Sequence, residues 1–198
     1  LVDHIEDSAG DLDAANTIVN DNGVLTASNT DVEGMGQLLA ERGLDPSVPV
    51  VVRGSGGMAA AAVAAFQRSG FEDVTVWARN QAAARELAQR FTLGTTAIEP
   101  ETVGAILANA TPIGMQGADC NELAFSATSI AHASAVIDAV AFPWHTPLIT
   151  AAQAAGLPVV TGADIFVRQA ALQFARYTGV TPTADQVERA AAHARAGA

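Results

Sequence analysis

Lysine is absent from this 198-residue chain. All ten basic side chains are arginines, set against 21 Asp and Glu, for a net charge of −11. A lysine base, a Schiff base or a P-loop therefore cannot be built from these residues alone. The acidic balance excludes a non-specific nucleic-acid binder, which needs a basic face to displace counterions. The one cysteine, Cys120, excludes an intrachain disulfide and fits a cytoplasmic protein. The opening segment LVDHIEDSAGDLDA has neither the basic nor the apolar region of a signal peptide. No run approaches the ~18 uninterrupted apolar residues of a membrane span. His4, His132, His145 and His193 are scattered without ligand spacing, so no metal site is expected.

Hydrophobic residues make up 49% and charged residues 16% of the chain, a balance that excludes disorder. The length suits one domain of roughly 100–200 residues with a full core. Residues 17–30, TIVNDNGVLTASNT, place two β-prone runs around Asp21-Asn22-Gly23 and predict a hairpin. Asp31 to Arg42 has helical apolar spacing with Gly43 as its stop, and Pro46 and Pro49 mark a linker. From VPVVVRG onward the pattern alternates. Apolar strands (DVTVWA, AILANA, SAVIDAV, LPVV) are interleaved with alanine-rich helices (MAAAAVAAFQRSG, NQAAARELAQRF, TPLITAAQAAG), and TTAI adds a short strand. Continuous apolar strands separated by helices predict a doubly wound parallel (Rossmann) α/β sheet. Two helices, near 164–178 and 183–196, close the chain.

Gly54-Ser55-Gly56-Gly57-Met58-Ala59 follows a strand and opens a helix, the context in which G-x-G-x-x-[G/A] binds a dinucleotide. Gly54 permits the turn, Gly56 lets a pyrophosphate approach the backbone, and Ala59 lets helix pack on strand. The helix N-terminus supplies N–H donors and positive dipole. The next strand ends Ala78-Arg79-Asn80, without the acid that an NAD site carries there. Arginine at that point suits a 2′-phosphate and favours NADP over NAD; its alternative is a solvated arginine at a helix start.

Seven segments together resemble the shikimate dehydrogenase family. They are Ala15-Asn16-Thr17-Ile18-Val19, Asn29-Thr30-Asp31, the G-S-G-G-M-A loop, Ala78-Arg79-Asn80, Asn109-Ala110-Thr111-Pro112-Ile113-Gly114-Met115, Asp138 with Pro143-x-x-Thr146-Pro147-Leu148, and Gly162 with Gln169. They keep the family's order and spacing along essentially the whole chain. The resemblance implies NADP-dependent reduction of 3-dehydroshikimate to shikimate, or of a related cyclic polyol acid such as quinate, in aromatic amino acid biosynthesis. A non-catalytic, regulatory nucleotide- or metabolite-binding paralogue is the alternative. It implies that Asn16, Asp31 and Gln169 bind substrate hydroxyls and that Asp31 is half of a lysine–aspartate catalytic pair. Gly54 to Ala59 and Ala78-Arg79-Asn80 would hold the cofactor, with Thr111 and Gly162 near its ribose and nicotinamide. It divides the chain into the end of a substrate domain (1–30), an NADP-binding domain (31–162) and C-terminal helices that pack back toward the substrate domain (163–198). Family members begin with a fuller substrate domain that carries a serine pair and the lysine, so the zero lysine count matches a chain without that segment. The implied partner is the small-molecule substrate, with neither nucleic acid nor membrane, and the implied assembly a monomer or homodimer.

Local alternatives stand beside these roles. Asp31 opens a helix and would serve as its cap; Asn16 and Asn29 suit turns; Gln169 suits a helix surface. The chain also departs from the family pattern. Ala141 stands where tyrosine is usual, Ala163-Asp164-Ile165 where Leu-Gly-Met is usual, Ala78 in place of asparagine, and Ala83 in place of a second basic residue.

Overall fold

The computed structural model describes residues 2–12 and 14–196. It opens on a small three-stranded sheet. β1 (His4–Ile5) leads through the single turn α1 (Asp7–Gly10) to the hairpin β2 (Thr17–Asp21) and β3 (Val24–Ser28). β3 is central, parallel to β1 and antiparallel to β2. The hairpin turns at Asn22 and Gly23, both with positive φ (51° and 95°), as a two-residue turn compatible with strand twist requires. Asn29 then ends the sheet and starts α2 (Thr30–Glu41).

The remainder alternates strand and helix. β4 (Val50–Arg53), α3 (Gly57–Arg68), β5 (Val74–Trp77), α4 (Gln81–Phe91) and β6 (Gly94–Thr96) form one half. β7 (Ile106–Asn109), α5 (Ala127–Ala131), β8 (Ala135–Asp138), α6 (Pro147–Ala154) and β9 (Val159–Val160) form the other. The six strands are all parallel in the order β6-β5-β4-β7-β8-β9. This is the expected doubly wound sheet, with its switch point between β4 and β7, the place outside the carboxyl ends of the strands where sheets of this kind bind their ligands.

Burial on both faces explains why the strands read as continuous apolar runs. Val50, Val52, Ile106, Ala108 and Ile137 enter a core with Met35, Leu39, Phe66 and Phe91. The intervening Val51, Leu107 and Val136 enter a second core with Phe125, Leu148 and Ile149. Alanines 61 to 65 of α3 are all buried with Val63, so the alanine excess serves close helix–sheet packing.

Two helices end the described chain, α7 (Gly162–Thr178) and α8 (Ala184–Ala196). α7 lies against α2. Gly34 permits this contact, because a Cβ there would stand 3.2 Å from Arg168 Cγ and 3.3 Å from the Gln169 nitrogen. Arg176 bridges Glu33 at 2.6 Å and Glu6 at 2.9 Å, and Arg168 bridges Glu41 at 2.6 Å. The pairing ties the end of the chain to its beginning. No described helix is long and apolar enough to cross a membrane.

Candidate functional site

Three strand ends meet at the switch point. Gly54 follows β4 with φ +128°, and a Cβ there would stand 2.9 Å from the Ala110 carbonyl oxygen. Both the turn and the close approach of the β7 end therefore need glycine. Backbone bonds from Gly54 N to the Trp77 carbonyl (2.9 Å) and from Ala110 N to the Arg53 carbonyl (2.9 Å) continue the ladders just past the strands. α3 starts at Gly57 with Gly56 as its N-cap, no side-chain cap and no acid in its first turn. Cβ atoms at Gly56 or Gly57 would meet nothing within 4 Å. The first turn of α3 thus has no side-chain acceptor or acid to compensate its N–H groups and positive dipole, and space is open at Gly56 and Gly57, the cradle an anion fits. Ser55 and Met58 are half-buried beside it, and Ala59 is wholly buried under the loop.

At the end of β5, Ala78 is buried, and Asn80 caps α4 by accepting from Ala83 N at 3.2 Å. These two shape the turn. Arg79 between them is exposed, with no hydrogen bond or ion pair among the described residues. A solvated position and a phosphate-binding one both leave an arginine in this state.

Past β7, Thr111 is locked by Asn109, whose Oδ1 accepts from Thr111 N (3.1 Å) and Oγ1 (2.6 Å). Asn109 Nδ2 donates to Asp138 Oδ1 at 2.9 Å and to the Ile113 carbonyl at 3.1 Å. Asp138 also accepts from Val140 N (3.2 Å) and Thr146 Oγ1 (2.5 Å). Burial pushes its carboxyl above the usual range, against the pull of these donors. This buried chain of polar groups fixes the segment carrying Thr111. Its signal in the sequence is a polar residue closing each of two otherwise apolar strands.

The second cluster gathers Asn16, Asp31 and Gln169 from a loop, a helix start and a distant helix. Asn16 Oδ1 accepts from Thr30 N (2.9 Å), Thr30 Oγ1 (3.1 Å) and Thr17 Oγ1 (2.9 Å). Thr30 Oγ1 also lies 3.3 Å from Gln169 Oε1, and Gln173 Nε2 donates to Thr17 Oγ1 at 3.3 Å. Burial raises the Asp31 carboxyl, opposed by a hydrogen bond from the Asn16 side chain. The cap of α2 is Asn29, which accepts from Asp31 N (3.1 Å) and Val32 N (3.3 Å), so Asp31 is not needed for capping. Thr17 and Thr30 stand inside the family-like segments without a role expected of them, and Gln173 lies outside those segments. The i, i+4 spacing of Gln169 and Gln173 is the one hint of a polar helix edge.

α7 joins the two clusters. Gly162 opens it directly against the end of β8, where a Cβ would stand 1.9 Å from the Val140 carbonyl oxygen. The unusual Asp164 has a local task. It accepts from Thr161 N and Oγ1, each at 2.9 Å, completing a capping box with Thr161, and lies 3.5 Å from Arg42. Among the described residues no group of His, Cys, Asp and Glu is placed to hold a metal ion.

The strand order and the glycine cradle define a Rossmann-type α/β protein with a loop suited to a dinucleotide. The chain belongs to the shikimate dehydrogenase family, a family of oxidoreductases. It is 42% identical over 196 residues to a shikimate dehydrogenase-like protein of Haemophilus influenzae, covering 98% of this chain and 72% of that one. It is 34% identical over 197 residues to the NADP(+) shikimate dehydrogenase of Sinorhizobium medicae, covering 96% and 68%. A solved shikimate 5-dehydrogenase-like protein superposes with TM-score 0.94 at 42% identity over 98% of this chain and 72% of its own. The Thermus thermophilus shikimate 5-dehydrogenase in complex with NADP(H) and shikimate gives TM-score 0.84 at 32% identity over 98% and 73%. No family model matches the chain.

Proposed function

We propose that the protein is an NADP-dependent dehydrogenase that interconverts 3-dehydroshikimate and shikimate, or a closely related cyclic polyol acid such as quinate. The observation that carries this reading is the convergence of Asn16, Asp31 and Gln169 around Thr30, in a chain that also carries a glycine cradle suited to a dinucleotide. Three hydrogen-bonding side chains from separate segments suit a substrate with several ring hydroxyls. The NADP(+) relatives and the solved complex with NADP(H) and shikimate support the same choice.

Oxidising a secondary alcohol removes a hydride from carbon and a proton from oxygen. A bound nicotinamide cofactor accepts the hydride. The chain's own residues manage binding and the proton. Gly54 to Ala59 would hold the pyrophosphate against the N-terminus of α3, and Ala78-Arg79-Asn80 would hold the adenosine side, with Arg79 on the 2′-phosphate. Thr111 and Gly162 would line the ribose and nicotinamide side. Asn16 and Gln169 would orient the hydroxyls. Asp31, its carboxyl raised by burial, would take up or return the proton. The lysine that completes the pair would come from outside these 198 residues, which contain none. In this reading residues 1–30 belong with the substrate side, 31–162 form the cofactor domain, and 163–198 pack back across the cleft in a cytoplasmic monomer or homodimer.

The test is shikimate-dependent reduction of NADP by the full-length protein, read as absorbance of the reduced cofactor, with quinate and NAD as alternates. Turnover with shikimate or quinate and NADP is expected. Cofactor binding without turnover on either acid would replace the enzyme reading with that of a binding protein.

A further inference from the structure

Arg53 is the last residue of β4, immediately before the glycine loop. It shares the strand face of Val51, away from α3 and toward the second core. Its guanidinium lies 4.2 Å from the centre of the Trp77 ring at the end of β5, and Trp77 packs on Phe125. It also donates to the carbonyl of Leu123 at 3.4 Å and, more closely, to that of Ala124. One side chain therefore ties together the ends of β4 and β5 and the segment that follows β7.

A hydrophobic strand end is an expensive place for a cation, and packing alone does not call for one. Burial eases the Arg53 guanidinium downward; Glu99 favours its charge, and the like charge of Arg79 opposes it. Glu99 is itself held in place by Ser126 N, at 2.9 and 3.2 Å from its two oxygens. Arg79 has no counter-ion among the described residues. Arg53 pairs in register with Trp77, two residues before Arg79, so two arginines stand at neighbouring strand ends with one opposing carboxylate, and one of the two is immobilised and partly desolvated. A fixed, partly buried charge is screened less than a solvated one and loses less side-chain freedom when its partner arrives. A dianion at Arg79 would relieve the repulsion between the two.

We propose that Arg53 is a specificity-determining residue for the 2′-phosphate of NADP, acting through its field from the neighbouring strand end, with Glu99 as the opposing charge that sets how strongly. This inference rests on the NADP reading above. A cofactor without the 2′-phosphate would be nearly indifferent to Arg53.

Calorimetric titration of the full-length protein with NADP and with NAD, without substrate, tests it, alongside thermal melts without cofactor. Arg53→Met keeps the stem on Trp77 and removes the charge. It should weaken NADP about fivefold and NAD less than about twofold, and the NADP effect should shrink in high salt. Arg53→Lys, which keeps the charge but loses the planar fork, should fall between Arg53→Met and wild type for NADP and leave NAD within about twofold. Glu99→Gln should tighten NADP about two- to threefold with NAD unchanged. Equal losses for the two cofactors in Arg53→Met, or an unchanged NADP affinity, would overturn the inference. If Arg53→Met does not fold, Glu99→Gln decides alone, and an unchanged ratio of the two affinities overturns it. A wild type that binds NADP no tighter than NAD would refute the NADP reading itself. A wild type that prefers NADP, with a preference insensitive to Arg53 and Glu99, would refute only this inference.

Discussion

Gly162→Ala is the sharpest test of how α7 is seated. The new Cβ would stand 1.9 Å from the Val140 carbonyl oxygen, 2.3 Å from its carbon and 2.8 Å from Ala141 N. All three atoms are backbone, so no rotamer change relieves the overlap. Restoring an ordinary contact requires α7 and the chain after β8 to separate by roughly 1 Å, a shift that a close-packed interior resists. Thr161 and Asp164 form their capping box around Gly162 itself, Ile165 is buried, and Gln169 further along lies 3.3 Å from Thr30 Oγ1. A displaced helix disturbs all of these. Overpacking of this kind costs about 3 kcal/mol or more. For a chain of this size that lowers the melting temperature by roughly 6–12 °C. Thermal denaturation followed by circular dichroism measures it. A melting temperature within about 2 °C of wild type would refute the seating of α7 described above.

Gly56→Ala is the counterpart. Its Cβ meets nothing within 4 Å and its φ is −91°, so stability should fall by no more than about 1 kcal/mol. Cofactor affinity should fall at least about tenfold, because the methyl group enters the cradle; unchanged affinity in a titration would remove the loop from the site. Arg79→Ala should weaken NADP by about 2 kcal/mol and NAD by far less; equal losses would mean that Arg79 is a solvated arginine. Burial raises the Asp138 carboxyl above its unfolded value, so its contribution to stability is full below about pH 4 and is lost as pH rises through the folded-state value. In urea melts, the stability of wild type relative to Asp138→Asn should therefore fall as pH rises from about 4 toward 7. A relative stability that grows over that range would contradict a carboxyl raised by burial.

The doubly wound sheet was legible because its strands are apolar on both faces and its helices have long, unbroken alanine-rich spacing. Strand and helix ends moved by a residue or two where capping decides the matter. α2 begins at Thr30 because the Asn29 side chain takes the first free N–H groups. β1, α1 and α5 were not assigned from the sequence, since two to five residues carry too little periodicity to register. In the candidate site, Asn16, Asp31 and Gln169 were readable only jointly, through their resemblance to a family pattern. Thr17, Thr30 and Gln173 were not, because a threonine in a β-prone run and a glutamine on a helix are ordinary residues until long-range packing brings them together. Asn109 and Asp138 stood inside motifs, but their pairing across adjacent strands depends on a register that only the folded sheet supplies. Asp164 read as a departure from the family pattern, and its role in the capping box gives it a local reason.

The central claim is that Asp31 handles the substrate proton and does not serve to fold the chain. The direct measurement is kcat for shikimate oxidation by the full-length Asp31→Asn protein, with NADP affinity and melting temperature taken on the same sample. Loss of a positioned acid–base group lowers the rate by about 10²–10⁴. A fall of that order is expected, with affinity and melting temperature unchanged, since Asn29 already caps α2. A kcat within about threefold of wild type would contradict the account and leave Asp31 as a helix-start carboxylate.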